Sequence, residues 1–341
     1  MTRHINIPVF IPHLGCPNTC VFCNQRVISG VSKFDLNSVK KIIDENLSST
    51  TSNDEVEIAF FGGSFTGIDR ELMISLLEIG HGYICSGDVD SIRCSTRPDY
   101  INEEILSILK KYGVKTIELG LQSADDNVLK ITQRGHDFES EKNACRLITE
   151  YGFDLVGQMM IGLPGSNHDT ELATADFIIS VGAKGARIYP TVVFHDTELC
   201  CMAKRGEYEA LSMDEAIDRS AKVLEKFIDA GVEVIRIGLC SSDNLMSDNT
   251  YYAGPNHPAL GELVINELYY KRIIKQLSET HTSDKFDLEI FVSSGCLSKA
   301  IGQKRKNKFR LLEDPRIRSV RFSERKDIKI YEVLLKIHNG D

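Results

Sequence analysis

The 341-residue sequence contains no apolar run of membrane-spanning length. Its amino terminus, Met-Thr-Arg-His followed by a proline-interrupted apolar segment, lacks the apolar core of a secretory signal peptide. Both absences argue against a membrane-embedded or exported protein. We therefore expect a cytoplasmic protein with no membrane partner.

Basic residues are fewer than acidic ones: the chain has 40 Lys and Arg residues and 49 Asp and Glu residues, so its formal net charge is −9. Such a chain does not coat nucleic acid indiscriminately, although a local basic patch can still grip a folded RNA. Low-complexity linkers and strict internal repeats are missing. The hydrophobic fraction of 42% and the charged fraction of 26% are typical of a globular protein.

Ten cysteines are present without an export signal. In the reducing cytosol structural disulfides are not expected, so metal binding or catalysis becomes the first interpretation of these residues.

From Ile5 to about Leu239 a short aliphatic run, a polar or glycine-rich turn and an amphipathic stretch follow one another repeatedly. This alternation predicts an α/β fold, a full or partial TIM-type (β/α) barrel with its active site at the carboxyl ends of the strands. The predicted strands are Ile7–Ile11, Val56–Phe61, Ser91–Ser95, Thr116–Leu119, Leu155–Ile161, Ala186–Tyr189 and Val234–Ile237.

The alternation stops after Leu239, so we predict a barrel over residues 1–239 and a second region over residues 240–341. That region should be a small α+β extension packed on the barrel. Its predicted elements are a loop over Cys240–Gly261, helices Glu262–Leu277 and Leu297–Ile301, and strands Asp287–Val292, Ile317–Phe322 and Ile328–Ile337.

Cys16, Cys20 and Cys23 form a CxxxCxxC motif in a loop just after the first predicted strand. Three thiolates this close can converge on one cubane iron-sulfur cluster and leave one iron open to a small molecule. The alternatives are a zinc site or a chance cluster of buried cysteines. A zinc ribbon would need a second CxxC or a histidine pair nearby, and none is present.

With an aromatic residue, Phe22, before its third cysteine, this motif resembles the signature of the radical S-adenosylmethionine (SAM) superfamily. The resemblance covers about two thirds of the chain. It implies a 4Fe-4S cluster on the three cysteines and reductive cleavage of SAM to a deoxyadenosyl radical that abstracts hydrogen from a substrate. It also implies a reducing electron donor such as flavodoxin or ferredoxin.

Gly62, Gly63 and Ser64 follow the second predicted strand, where glycines let the backbone approach a ligand closely. By resemblance this is the GGE-type motif that holds the amino group of SAM, with Ser64 at the glutamate position. A plain strand-to-helix turn is the alternative.

Polar side chains at the ends of later strands point towards the same rim of a barrel. Their segments resemble the branch that contains oxygen-independent coproporphyrinogen III oxidase and the Elongator catalytic subunit, in which the matching positions contact SAM. The contacts carried over are Ser95, Gln122, Arg134 and Gln158. Ser95 and Gln158 depart from that branch, which often has acidic residues there. The nearby Arg97 has a structural alternative, a salt bridge with Asp99 or Glu118.

The segments Ala186–Val193 and Asp196–Leu199 extend the resemblance to the Elongator catalytic subunit, which implies a tRNA partner. The chain has no room for the acetyltransferase domain that follows in that subunit, so acetyl transfer is not expected. The basic run Lys304–Arg310 can pair with phosphates, with Phe309 available for stacking, or it is simply a solvated face.

The sequence thus predicts a radical SAM enzyme that modifies RNA, with a tRNA base as the preferred substrate. Two alternatives stay open: an enzyme acting on a tetrapyrrole or another small molecule, and a non-catalytic cluster or haem carrier. The carrier alternative rests on Ser95 and Gln158, which stand where the related branch often has acidic residues.

Overall fold

The computed structural model describes residues 3–11, 14–16, 20–24, 34–51, 53–239, 250–279 and 285–339. The chain divides into two compact units, Met1–Ser212 with Lys226–Pro258 and Met213–Glu225 with Ala259–Asp341. The single boundary after residue 239 stays a prediction. No helix in the described ranges is both long and apolar enough to cross a membrane.

The first unit is built on parallel β-strands. Its strands are β1 (His4–Ile11), β2 (Glu55–Gly62), β3 (Ser91–Thr96), β4 (Val114–Gln122), β5 (Asp154–Ile161), β6 (Gly185–Pro190), β7 (Val193–Phe194), β8 (Glu233–Ile237) and β9 (Tyr251–Ala253). Seven of them form one sheet in the order β1-β2-β3-β4-β5-β6-β8, with every neighbouring pair parallel.

This sheet is a partial barrel, because within the described residues β1 and β8 each pair on one side only. The predicted barrel fold is therefore confirmed in its partial form. Each of the seven predicted strands lies inside an observed one. That agreement reflects the apolar composition of strands that are covered on both faces.

Helices connect successive strands of the sheet. They are α1 (Asn37–Leu47), α2 (Arg70–Ser86), α3 (Glu103–Lys111), α4 (Asp126–Ile131), α5 (Phe138–Glu150), α6 (His168–Ser180), α7 (Glu198–Lys204) and α8 (Met213–Asp229). Local sequence sets their ends. The side chain of Asn102 accepts a hydrogen bond from the backbone N–H of Ile105 at 2.9 Å, and Gly113 follows α3 with a φ of 82°.

The strands β7 and β9 form an antiparallel two-stranded sheet. The prediction of a loop over Cys240–Gly261 is wrong at both β9 and Leu260, where the next helix begins. A strand of three residues shows no alternation of its own, and its partner lies far back in the chain. Residues 240–249 lie outside the described part of the chain.

The second unit has a separate three-stranded sheet and its own core. Its elements are α9 (Leu260–Ser278), β10 (Phe286–Ser293), α10 (Leu297–Ile301), α11 (Lys306–Leu312), β11 (Ile317–Arg325) and β12 (Val333–Asn339). The central strand β10 is parallel to β11 and antiparallel to β12. Its alternate residues Phe286, Leu288, Ile290 and Val292 are buried in the core with Tyr269.

The last strand begins five residues later than the predicted start at Ile328. The alternating sequence there is typical of a strand, but Tyr331 has a left-handed φ of 71°, which a strand cannot contain. Its backbone N–H donates to the hydroxyl of Tyr269 at 3.0 Å instead of to a neighbouring strand.

Candidate active site

A cavity of about 160 Å³ lies at the carboxyl ends of β2, β3 and β4. It brings together almost all of the residues predicted to bind the cluster and SAM, namely Cys16, Cys20, Cys23, Gly62, Gly63, Ser95, Gln122, Arg134 and Gln158. Residues that the sequence did not single out as ligand contacts complete its lining: Phe22, Thr96, Arg97 and Gly120. Ser64 is the predicted contact that does not line it.

The cysteine loop is anchored from two sides by the backbone of Val21. Its N–H donates to the carbonyl of Thr132 at 3.2 Å, and its carbonyl accepts from the N–H of Leu199 at 2.8 Å. In the second half of the motif, the N–H of Cys23 donates to the carbonyl of Cys20 at 2.9 Å. The second half of the motif is thus a tight turn fixed to the ends of two helices.

Gly62 lets the end of β2 approach the end of β1, and Gly63 lets it approach the cysteine loop. A Cβ atom on Gly63 would lie 2.9 Å from the carbonyl oxygen of Leu14 and 3.0 Å from the Sγ atom of Cys16. A Cβ atom on Gly62, whose φ is 132°, would lie 2.2 Å from the carbonyl oxygen of Ile11. The glycine pair therefore has a packing role next to the cysteines, in addition to any contact with a ligand.

Ser64 is buried and joins the ends of two strands. Its hydroxyl lies 2.8 Å from the hydroxyl of Thr96 and accepts a hydrogen bond from the backbone N–H of Arg97 at 3.3 Å. This serine positions the segment after β3, and its predicted contact with SAM stays a prediction.

Arg97 pairs with Asp99 through two contacts of 2.9 Å, and not with the other predicted partner, Glu118. Its remaining nitrogen lies 3.8 Å from the Sγ atom of Cys20. Burial alone would raise the pKa of Asp99, but hydrogen bonds from His136 and Arg97 hold that pKa well below its usual range. The structural salt bridge therefore holds a cation beside a cysteine of the motif.

Arg134 is 5% exposed and is bound by neutral groups and one sulfur atom. One terminal nitrogen donates to the Sγ atom of Cys20 at 3.2 Å, and the other donates to the carbonyl of Gly120 at 2.6 Å. Its Nε atom is buried without a partner in the described structure, where no carboxylate pairs with it either. A buried cation without a carboxylate is costly, and a thiolate-ligated cluster would supply the missing negative charge.

Gln122 ends β4 in a strained conformation at the cavity. Its φ is 72°, in the left-handed region that residues other than glycine rarely adopt, and the pairing of β4 with β5 is irregular between Gly120 and Gln122. Its Oε1 atom is buried and has no hydrogen-bond partner among the described residues. This acceptor and the Nε donor of Arg134 fit a polar ligand in the cavity.

A network of buried ion pairs connects the strands beside the cavity. Glu118 lies 3.0 Å from Arg93 and 2.7 Å from Arg187, and Arg93 also contacts Glu57 at 2.7 Å. Gln158 donates from Nε2 to Glu118 at 2.8 Å, which fixes its side chain. Sequence reasoning missed this network. The sequence shows one charged residue inside each of four predicted strands, but it does not show which of them face each other.

The donor set suits an iron-sulfur cluster. Burial raises the pKa of the Cys16 thiol, while the positive charges of Arg97 and Arg134 act in the opposite direction. Within the described ranges no three His, Cys, Asp or Glu side chains are grouped as one metal ion would require. A cubane binds each cysteine through a different iron, so its ligands are spread more widely.

Comparison with known protein families agrees with the cysteine motif. The family model of the radical SAM superfamily matches residues 10–178, and that of the radical SAM C-terminal domain matches residues 183–270. The chain belongs to the radical SAM superfamily. It is a radical SAM enzyme, as the sequence predicted, and the superfamily implies a 4Fe-4S cluster and SAM as its cofactors.

Two relatives and one solved structure show the range of similarity. An uncharacterised protein of Methanocaldococcus jannaschii is 29% identical over 64% of this chain and 70% of its own length. The tRNA uridine(34) acetyltransferase of that organism is 33% identical over 48% of this chain, which covers about a third (34%) of the relative's length. The Elongator protein Elp3 of Methanocaldococcus infernus has a TM-score of 0.64 at 22% identity, covering 80% of this chain and 64% of that one. The last similarity shows a shared fold.

Proposed function

We propose that this radical SAM enzyme modifies a base of tRNA by hydrogen abstraction. The observation that supports the chemistry is that all three cysteines line one cavity. Gln122 and Arg134 line the same cavity, and among the described residues Gln122 Oε1 and Arg134 Nε have no hydrogen-bond partner. The choice of tRNA rests on the relative named as a tRNA uridine(34) acetyltransferase, which matches this chain over about a third (34%) of its own length.

In this proposal Cys16, Cys20 and Cys23 hold the 4Fe-4S cluster and leave one iron for SAM. When bound, the cluster supplies the electron that cleaves SAM reductively. Arg134 and Arg97 direct N–H groups at the sulfur of Cys20 and offset negative charge there. These two arginines belong to the segments after α4 and β3, so they tie the cysteine loop to the rest of the barrel.

SAM would occupy the cavity beside the open iron. Gly62 and Gly63 expose backbone groups at the end of β2, where side chains would collide with Ile11 of β1 and with the cysteine loop, respectively. Gln122 Oε1 would accept a hydrogen bond from SAM, and Arg134 Nε would donate one, since both atoms are buried without a partner among the described residues. Ser95 and Gln158 complete the proposed contacts, and Gln158 is held in place by Glu118.

The test measures 5′-deoxyadenosine after anaerobic reconstitution of the cluster, with SAM added and with dithionite in place of the biological electron donor. Formation of the product should require Cys20 and should increase when bulk tRNA is added. Cys20→Ala should abolish it. Cys85→Ala, at an exposed cysteine of α2, is the matched control and should retain it.

Each result decides one part of the proposal. Deoxyadenosine formed equally by the Cys20→Ala protein would refute the assignment of the cluster ligands. If deoxyadenosine forms in a cysteine-dependent way, but added tRNA neither increases its amount nor acquires a modified nucleoside, the RNA substrate is refuted and the SAM chemistry stands.

A further inference from the structure

The second unit contains a basic turn, which we define as residues 304–309, the two residues before α11 and the first turn of that helix. Four of its six residues are the cations Lys304, Arg305, Lys306 and Lys308, and none is acidic, in a chain with a net charge of −9. It lies beyond residue 270, where the matched family models end. The chemistry of the cavity gives this segment no role.

The backbone of the basic turn is strained. Lys304 and Arg305 have φ angles of 52° and 63°, so two consecutive residues other than glycine adopt the left-handed conformation. Each such residue costs on the order of 1 kcal/mol, and strain of this kind persists only where the surroundings enforce it.

Two buried asparagines enforce this conformation. The Nδ2 atom of Asn307 donates to the carbonyls of Asn266 at 2.7 Å and Ala300 at 3.0 Å. The Oδ1 atom of Asn266 in turn accepts from the backbone N–H of Gln303 at 2.8 Å. Asn266 and Asn307 are 5% and 1% exposed, so these bonds are shielded from water and fix both sides of the turn.

The cations of the turn are available to a partner. Lys304 and Arg305 are exposed and Lys308 is half-buried, and none of the three forms an ion pair in the described part of the chain. Lys306 lies 3.4 Å from Asp214, but both side chains are largely exposed and such a pair is weak. Phe309, at the end of the turn, is 58% exposed, which is unusual for a large apolar ring.

We propose that the basic turn is an RNA contact surface. Lys304, Arg305 and Lys308 pair with backbone phosphates, and the ring of Phe309 stacks on an unpaired base. A rigid turn that holds cations next to an aromatic ring loses little conformational entropy when it binds a flexible single-stranded segment. This inference rests on the proposed function, because the RNA concerned is the tRNA substrate.

The test compares tRNA binding across salt concentrations for wild type and for a Lys304→Gln, Arg305→Gln, Lys308→Gln triple variant. Loss of three phosphate contacts should reduce the slope of log affinity against log salt by about 2 to 3. The matched control is the triple variant Arg321→Gln, Lys326→Gln, Lys329→Gln, which removes the same charge from exposed positions in and after β11. Its slope should stay close to that of wild type.

Phe309→Leu separates stacking from charge. Affinity should fall by about fivefold or more at every salt concentration, while the slope stays that of wild type. Deoxyadenosine formation without tRNA should be equal in all variants, which shows that fold and cluster are intact.

The outcomes separate this inference from the proposed function. Wild-type protein that does not bind tRNA overturns both. Wild-type protein that binds tRNA with the same salt slope as the Lys304, Arg305, Lys308 variant overturns the contact surface and leaves the proposed function standing. Equal loss of slope in the control variant also overturns it, because the effect is then one of general charge.

Discussion

Gly63 has no side chain at the point where β2 meets the cysteine loop. Its φ is not in the left-handed region, so an alanine there is strained only by the contacts of its Cβ atom with Leu14 and Cys16. We expect Gly63→Ala to displace the cysteine loop and to lower the iron and sulfide content after reconstitution at least severalfold. Far-UV circular dichroism should show an intact barrel.

The matched control is Gly82→Ala in α2, where an added Cβ atom meets no atom within 4 Å. Alanine is the better helix former, so this variant should load the cluster fully and be slightly more stable. A Gly63→Ala protein with the iron content of wild type would show that the loop does not need this space.

Arg134 donates an N–H group to the sulfur of Cys20 and brings a positive charge close to it. Both effects favour the reduced cluster, which carries one more negative charge. Arg134→Gln should therefore lower the midpoint potential, by about 60 mV if the interaction amounts to about 1.4 kcal/mol. A redox titration followed by electron paramagnetic resonance measures the shift. Lys130→Gln, at an exposed residue of α4, should leave the potential unchanged, and an unchanged potential in Arg134→Gln would contradict the prediction.

Glu141 is a fully buried carboxyl group in α5, with Oε1 3.0 Å from His136 Nε2. Burial raises its pKa from the usual 4.5 to about 7, although the hydrogen bond from His136 acts in the opposite direction. The folded protein thus holds a proton that the unfolded chain releases, and the free energy of unfolding falls as pH rises through this interval. One proton contributes at most about 1.4 kcal/mol per pH unit.

Glu141→Gln removes this titration, so the free energy of unfolding should vary less between pH 5 and pH 7. Urea denaturation at several pH values measures it. Glu139→Gln, at an exposed position of the same helix, should retain the dependence of wild type. A Glu141→Gln protein with an unchanged pH profile would assign the titration to another group.

Glu118 connects strands within the barrel sheet. It belongs to β4 and pairs with Arg93 of β3 and Arg187 of β6, all of them buried. Glu118→Gln would leave the buried Arg187 without its carboxylate partner and Arg93 with Glu57 alone, which should lower the free energy of unfolding by about 3–5 kcal/mol. Since the chain contains no tryptophan, urea unfolding is best followed by circular dichroism.

The control for Glu118→Gln is Glu207→Gln, which breaks an ion pair with Arg205 on the surface. Exposed pairs are screened by water, so its stability should be close to that of wild type. A similar loss in both variants would mean that burial does not set the importance of the Glu118 network.

The strands of the barrel were predictable because buried parallel strands are largely apolar and short. The ends of the strands were less predictable, because the polar residues His4 and Gln122 also belong to β1 and β4. The network around Glu118 was not predictable, because it depends on which residues of neighbouring strands face each other. The strand pair β7 and β9 joins segments far apart in sequence and escapes any local pattern for the same reason.

The candidate site was predicted from its loops, each of which carries a recognisable short motif. Its internal contacts were not. Arg97 contacts Cys20 although the two lie 77 positions apart, and the sequence narrowed the carboxylate partner of Arg97 only to Asp99 or Glu118. Positive backbone angles such as that of Gln122 also follow from tertiary packing and are not visible in the sequence.

The backbone contacts of the cysteine loop to Thr132 and Leu199 lie within the first unit, whereas the second unit has its own core around Tyr269 and Phe286. Removal of the iron by a chelator should therefore increase the mobility of the first unit and leave the second unit unchanged. Hydrogen exchange followed by mass spectrometry should show faster exchange near Gly63 and Arg134 after the iron is removed. Exchange in β10 should be the same with and without iron, and an equal increase in both places would contradict this division.

The order of strands in the barrel also matters during synthesis on the ribosome. Each strand from β2 to β6 finds its neighbour already made, so the sheet can extend as the chain emerges. The three cysteines emerge early, but Arg134, which donates a hydrogen bond to Cys20, follows only after β4. Delivery of iron and sulfide to a nascent chain would therefore meet a loop without this contact until residue 134 has been translated.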